Sequence, residues 1–425
     1  MAKGMQKANL AAEVKQFLLS RFAPHFGQLT GKFESNPIWR RFRELGTELW
    51  LDTGSIDEAS DLWTREFTAL TTNNTLLNRE VQTGVYDGLI SEAVQTLEPF
   101  GLSQEELTYE IAFILNAHHA LRLVEKFDAT VSVELHTDLA HDVQGSVAWA
   151  RRYHEICPER FIVKVPFTPE GLLATRILSR QGIPVNHTLG FSARQSHLIG
   201  KIARPAYVNV FLGRLNSFIA DNDLGDGKYV GERATLAAQA VVKKLRAEHN
   251  VLTRQIAASM RSGQQALDLA GVDVLTMPPA VAREVLATCA DPADIVDRTG
   301  EDYPVRLSET VHPESLCMDT LWGIRKRFAA AVDELDKMDL DAMIAADVID
   351  FFAKRACGDV VIAWSDEQVA LSEIEGKIPK LRNWQECLGG KHIGLDSLMN
   401  LAGLNSFAAD QKAMDARMHE VLVKT

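Results

Sequence analysis

The chain has 425 residues, 46% hydrophobic and 24% charged, enough to bury a large core in one barrel with additions or in two to three domains. Its net charge of -12 argues against nucleic acid or an anionic membrane surface as the main partner, and no apolar run reaches the roughly 18 residues of a membrane span. Five cysteines, an odd number without a CxxC, indicate neither a zinc site nor a disulfide framework; with no signal-type segment in residues 1–12, the expected location is cytoplasmic.

Residues 1–48 read as an N-terminal helical extension, amphipathic over residues 10–21, where packing on a neighbouring core is the simplest use of the apolar face. Short β-rich runs then alternate with helical periodicity. The expected strands are residues 49–54, 69–73, 130–135, 160–166, 184–191, 206–213, 254–260 and 273–279. Between them, residues 80–97, 104–126, 171–180 and 231–249 repeat apolar side chains at three- and four-residue spacing. Eight such units predict an α/β fold, a (β/α)8 TIM barrel over residues 49–281, with its chemistry at the C-terminal strand ends. Residues 282–394 form a helical insertion, interrupted by loops at 297–305 and 388–393. One apolar run, residues 359–364, reads as a strand or a buried helical turn. Residues 395–425 read as a C-terminal helix over the barrel mouth, and no internal repeat is present.

Lys164 stands out, an amine inside the apolar run Phe161-Ile162-Val163-Lys164-Val165-Pro166. Desolvation disfavours an ammonium, which makes nucleophilic attack on a carbonyl plausible, although a lone strand lysine more often snorkels or pairs with a carboxylate. Its company changes that balance. Asp52, Asn73, Glu134, Asn186, Thr188, Arg214, Ser259 and Arg261 all fall at or near strand ends. Alternation puts Asn186 and Thr188 on one face and groups Lys164 with Ile162 and Pro166, leaving Val163 and Val165 to the helices. Buried polar groups without partners cost about 1–3 kcal/mol each, so this concentration is a poor core and a reasonable site. His118 and His119, adjacent on a helix, cannot face one ligand, and the acidic loop at 221–227 lacks the terminal glutamate of a calcium loop.

These residues sit in motifs: Leu51-Asp52-Thr53, Thr71-Thr72-Asn73, Val131-Ser132-Val133-Glu134, Ile162-Val163-Lys164-Val165-Pro166, Val185-Asn186-His187-Thr188-Leu189, Phe211-Leu212-Gly213-Arg214, Ala258-Ser259-Met260-Arg261, and, near the end, Asn405-Ser406-Phe407-Ala408-Ala409-Asp410-Gln411. In this order the chain resembles the transaldolases, Schiff-base-forming class I aldolase-type barrels. The resemblance implies Lys164 as the Schiff-base lysine, Asp52 as the acid/base of carbon–carbon cleavage, and Glu134 with Thr188 as holders of a relay water. It implies substrate contacts from Asn73, Asn186, Asn209 and Phe211 and a phosphate site of Arg214, Ser259 and Arg261. A transaldolase of the pentose phosphate pathway would take small phosphorylated sugars as partners and need no metal or organic cofactor; a homodimer is left open.

The chain departs from the family pattern at Asn74, where proline is usual, at Asn209, where a small hydroxyl residue is usual, and at His187 and Gly190. Residues 282–394 cannot be aligned. Two rival readings are a fructose 6-phosphate aldolase or enzyme for an unusual sugar, disfavoured by Phe211 where the aldolase subgroup carries tyrosine, and a non-catalytic sugar-phosphate-binding homologue.

Overall fold

The computed structural model describes residues 2–22, 26–27, 30–309 and 311–424; parts of the expected N-terminal extension, residues 1, 23–25 and 28–29, one residue of the expected insertion, 310, and the last residue of the C-terminal helix, Thr425, lie outside these. A strand forms in each of the eight stretches where alternation predicts one: β1 Glu48–Asp52, β2 Phe67–Thr71, β3 Thr130–Glu134, β4 Phe161–Pro166, β5 Val185–Thr188, β6 Tyr207–Phe211, β7 Arg254–Ala258 and β8 Val274–Met277. They pair in parallel in sequence order, and β8 returns to β1 to close the barrel. Parallel neighbours need long crossovers, and the intervening helices supply both the crossovers and the outer layer.

Alternation sorts the two faces as expected. Val163 and Val165 join the main core between strands and helices, whereas Trp50, Ala69, Ile162, Ile256, Ala258 and Val274 form a separate cluster inside the lumen. The Trp50 and Tyr207 rings meet edge to face at 4.8 Å across it. Below this plug, Arg254 pairs with Glu48, which also accepts a 2.8 Å hydrogen bond from Thr68. The lumen is therefore closed at the N-terminal end by the plug and this ion pair, and a cavity lies at the other.

The expected helix over residues 80–97 is two helices, Asn74–Gln82 and Asp87–Leu97. Gly84 lies at φ +83°, a left-handed turn that continuous periodicity hides. The N-terminal helix Ala2–Leu19 buries Leu10, Val14, Phe17 and Leu18, and Pro37–Glu44 starts on an Asn36 cap and packs Trp39 on Phe67 at the start of β2.

The segment at 359–364 is neither strand nor helix. The Asp359 carbonyl accepts from Gly394 N–H at 2.9 Å and Ser397 Oγ at 2.8 Å, so its backbone is spent on the final helix instead of a ladder. Helices Lys326–Leu335 and Ala345–Lys354 share an apolar cluster with Leu172, Leu198 and Ile202, so this region is packed on the barrel's own helices.

The final helix, Leu395–Lys424, starts at a buried ionic node: Arg194 binds Asp396 with two nitrogens, at 2.8 and 2.6 Å, and Asp359 at 2.6 Å. It is then tied to the barrel by Thr75 to Asp410, His136 to Asp415 and Arg417 to Asp87. Among the described residues no helix is long and apolar enough to cross a membrane.

Candidate active site

A cavity of about 170 Å3 opens at the C-terminal strand ends. Its walls include Asp52, Asn73, Lys164, Asn186, Thr188, Asn209, Phe211, Arg214 and Ser259, nine residues singled out from the sequence. Parallel register explains the convergence: Glu134 pairs with Lys164 and Lys164 with Asn186, one rung across three strands. Glu134 and Arg261 are not on the wall. Glu134 stands behind it, beside Lys164, and Arg261 is exposed at the rim.

Lys164 is 5% exposed, and its ammonium donates to the Thr72 carbonyl. Asp52 ends β1 above Trp50. It accepts a 2.8 Å bond from Thr71 Oγ1, which lies 2.8 Å from Thr276 Oγ1. An ionised carboxylate can only accept, so Thr71 must donate to it and receive its own bond from Thr276. Burial pushes the Asp52 carboxyl above its ordinary value, against the opposing pull of Lys164 and the Thr71 hydrogen bond. Burial likewise raises Glu134, while Lys164 and a 2.8 Å bond from the Asn74 backbone N–H act to lower it. Two carboxyls with raised proton affinity thus flank one buried amine.

Asn73 caps helix Asn74–Gln82, its oxygen taking Leu76 N–H at 2.8 Å, which leaves the amide nitrogen for the cavity. The Thr188 hydroxyl is buried without a hydrogen-bond partner among the described residues. So is one terminal nitrogen of Arg214, whose guanidinium packs 5.5 Å from the Phe211 ring and 5.3 Å from Phe407. Burial and the neighbouring Arg261 push Arg214 down to about 10, still cationic at neutral pH. Among the described residues it forms no salt bridge, and Asp410 and Glu134 act on it only through space. Ser259 at φ +63° turns the chain sharply between the end of β7 and Arg261.

Sequence reasoning gave no role to Thr71, Thr276, Ser132 or Asp410. Alternation could have found the first two, since each lies two residues beyond a lumen residue, Ala69 and Val274. Phe407 was visible only within its motif, and it closes the cavity from the final helix. A larger cavity, about 310 Å3, lies outside the barrel mouth between Phe167, Val361, Trp364, Leu401 and Leu404; it contains no lysine and is mainly aliphatic and aromatic.

Residues 49–337 match the family described as transaldolase/fructose-6-phosphate aldolase. A transaldolase of Vibrio cholerae is 26% identical over 310 residues, 71% of this chain and 96% of that one. A probable transaldolase of Thermus thermophilus is 33% identical over 241 residues, 56% of this chain and 90% of its own. For a transaldolase of Methylococcus capsulatus the identity is 24% over 332 residues, 73% and 98%.

Proposed function

Because this chain belongs to the transaldolase/fructose-6-phosphate aldolase family, we propose that it transfers a dihydroxyacetone unit from a ketose phosphate to an aldose phosphate through a Schiff base on Lys164. Fructose 6-phosphate and sedoheptulose 7-phosphate are the donors to try first, with erythrose 4-phosphate and glyceraldehyde 3-phosphate as acceptors. The observation that carries the reading is the rung Glu134, Lys164, Asn186 with Asp52 across the same cavity.

In this reading the Lys164 amine adds to the ketose carbonyl, and the carbinolamine loses water to give an iminium. Glu134 and Thr188 hold the water that carries protons in this step, which suits a carboxylate and a hydroxyl that lacks a hydrogen-bond partner among the described residues. Asp52 then takes the proton of the hydroxyl two carbons from the iminium carbon. The carbon–carbon bond breaks, its electron pair enters the iminium to form an enamine, and an aldose phosphate leaves. Addition of the enamine to a new aldehyde reverses these steps, and hydrolysis frees Lys164. Asn73 and Asn186 hold the hydroxyls of the dihydroxyacetone unit, Phe211 shapes the wall, and Arg214, Ser259 and Arg261 receive the phosphate.

The test is intact mass after borohydride reduction with fructose 6-phosphate, with peptide mapping. An adduct on Lys164 that disappears in Lys164→Ala supports the mechanism; a folded wild type that takes up no adduct from either ketose phosphate overturns it. Free dihydroxyacetone released without an acceptor would make the enzyme an aldolase instead.

A further inference from the structure

Four groups form a hydrogen-bonded row along one wall of the cavity. Gly190 N–H lies 3.1 Å from Asn209 Oδ1, Asn209 Nδ2 lies 3.1 Å from Asn186 Oδ1, and Asn186 Nδ2 lies 3.2 Å from Ser132 Oγ. Carboxamide oxygen and nitrogen look alike in shape, so two such groups could usually be turned over together. Here one end of the row forbids it. A backbone N–H can only donate, so an oxygen of Asn209 must face Gly190. Its nitrogen is then left for Asn186, which must answer with oxygen, and the Asn186 nitrogen is directed to Ser132.

The anchor cannot slide. A methyl group at Gly190 would come within 2.1 Å of the Asn209 carbonyl oxygen, so only glycine allows this approach, and Phe211 N–H holds the Gly190 carbonyl at 2.9 Å from the other side. Asn186 and Asn209 are 1% and 3% exposed, both on the cavity wall. Each amide nitrogen carries two protons and uses one in the row.

We propose that Asn209 is a positioning residue that fixes the hydrogen-bond polarity of this wall: it holds the Asn186 oxygen turned toward itself, so the spare amide protons of Asn186 and Asn209 favour a sugar bringing an acceptor oxygen there over one bringing an ammonium. The inference rests on the proposed function for the identity of the substrate. A hydroxyl satisfies the wall because its oxygen can accept, whereas an ammonium has donors and no lone pair. A serine at this position would free Asn186 to turn its oxygen toward the cavity and remove the discrimination.

The test compares fructose 6-phosphate with 1-amino-1-deoxyfructose 6-phosphate as donors for wild type and Asn209→Ser. Both proteins carry the same charges, so repulsion of the ammonium by Lys164 or Arg214 is common to both and drops out of the comparison. The wild-type preference for the hydroxyl sugar, as a ratio of kcat/KM, should shrink by about tenfold or more in Asn209→Ser, the effect of one mismatched buried hydrogen bond. An adduct on Lys164 with an unchanged ratio overturns the inference and leaves the function standing. Absence of an adduct in wild type overturns the function and the selectivity with it. In the ligand-free protein, asparagine-selective 15N spectra should show slow solvent exchange for the side-chain amides of Asn186 and Asn209; exchange as fast as on an open surface would overturn the row itself.

Discussion

Replacing Asn74 by proline would remove a backbone N–H from the site, together with a buried carboxamide whose nitrogen donates to the Leu135 carbonyl at 3.4 Å. Asn74 is the first residue of its helix, where the backbone N–H has no helical acceptor and proline's fixed φ is welcome. The preceding Asn73 is extended, φ −156° and ψ 170°, as the residue before proline prefers. What the substitution deletes beside Glu134 is the 2.8 Å bond from Asn74 N–H to Glu134 Oε2. A hydrogen bond to a buried carboxylate contributes about 1.5–3 kcal/mol. Burial already raises the proton affinity of Glu134, and this N–H is one of two influences that restrain it. Without it the carboxylate is harder to form, so the acidic limb of the pH profile should move to higher pH. Below that limb the rate should fall by roughly tenfold to a hundredfold, and at high pH it should recover toward wild type. The assay is kcat/KM for sugar transfer across pH, with a melting temperature to show that the fold is intact. A folded Asn74→Pro protein whose acidic limb has not moved would refute the assignment of Glu134 as a carboxylate needed in its ionised form.

Thr71→Val should slow carbon–carbon cleavage about tenfold while leaving adduct formation on Lys164 intact, because Asp52 loses the donor that favours its ionised form; equal loss of both steps in stopped-flow mass measurements would contradict this. Asp52→Asn should abolish transfer and raise stability by about 1 kcal/mol at neutral pH. The sign follows from the folded-state proton affinity of Asp52, which lies above its ordinary value, so ionising the carboxyl costs more in the folded protein than in the unfolded chain. The gain should therefore be absent below the ordinary aspartate range, grow as pH rises from there to the folded value and be complete above it, as urea titrations at several pH values would reveal. Arg194→Ala leaves Asp396, 0% exposed, without its cation and should cost about 3–5 kcal/mol; a loss under 1 kcal/mol in the same titrations would mean that the node does not anchor the final helix.

Barrel and rung were legible because both follow from period two. Eight apolar runs with polar ends fix strand faces, and parallel register carries Glu134, Lys164 and Asn186 to one level with no further information. The split at Gly84 was hidden because helical periodicity on both sides is continuous. The 359–364 run misled because its apolar side chains pack like a strand while its carbonyls are claimed by Gly394 and Ser397, residues far along the chain. Departures from the family pattern at Asn74, Gly190 and Asn209 looked unrelated in sequence. In three dimensions Asn74 touches Glu134 and Gly190 touches Asn209, contacts made by backbone N–H groups that no residue name announces.

The bond between Thr75 and Asp410 joins residues 335 positions apart, with six of the eight barrel strands, β3 to β8, inside the loop it closes. Contacts of such span form late, after local βα units have paired. Phe407 enters the cavity on that same helix, so a barrel can be fully wound, with Lys164 already in its strand, and still have an open mouth. Catalytic competence then arrives as a separate, final docking event. A refolding experiment should see strand structure return before the ability to trap a sugar.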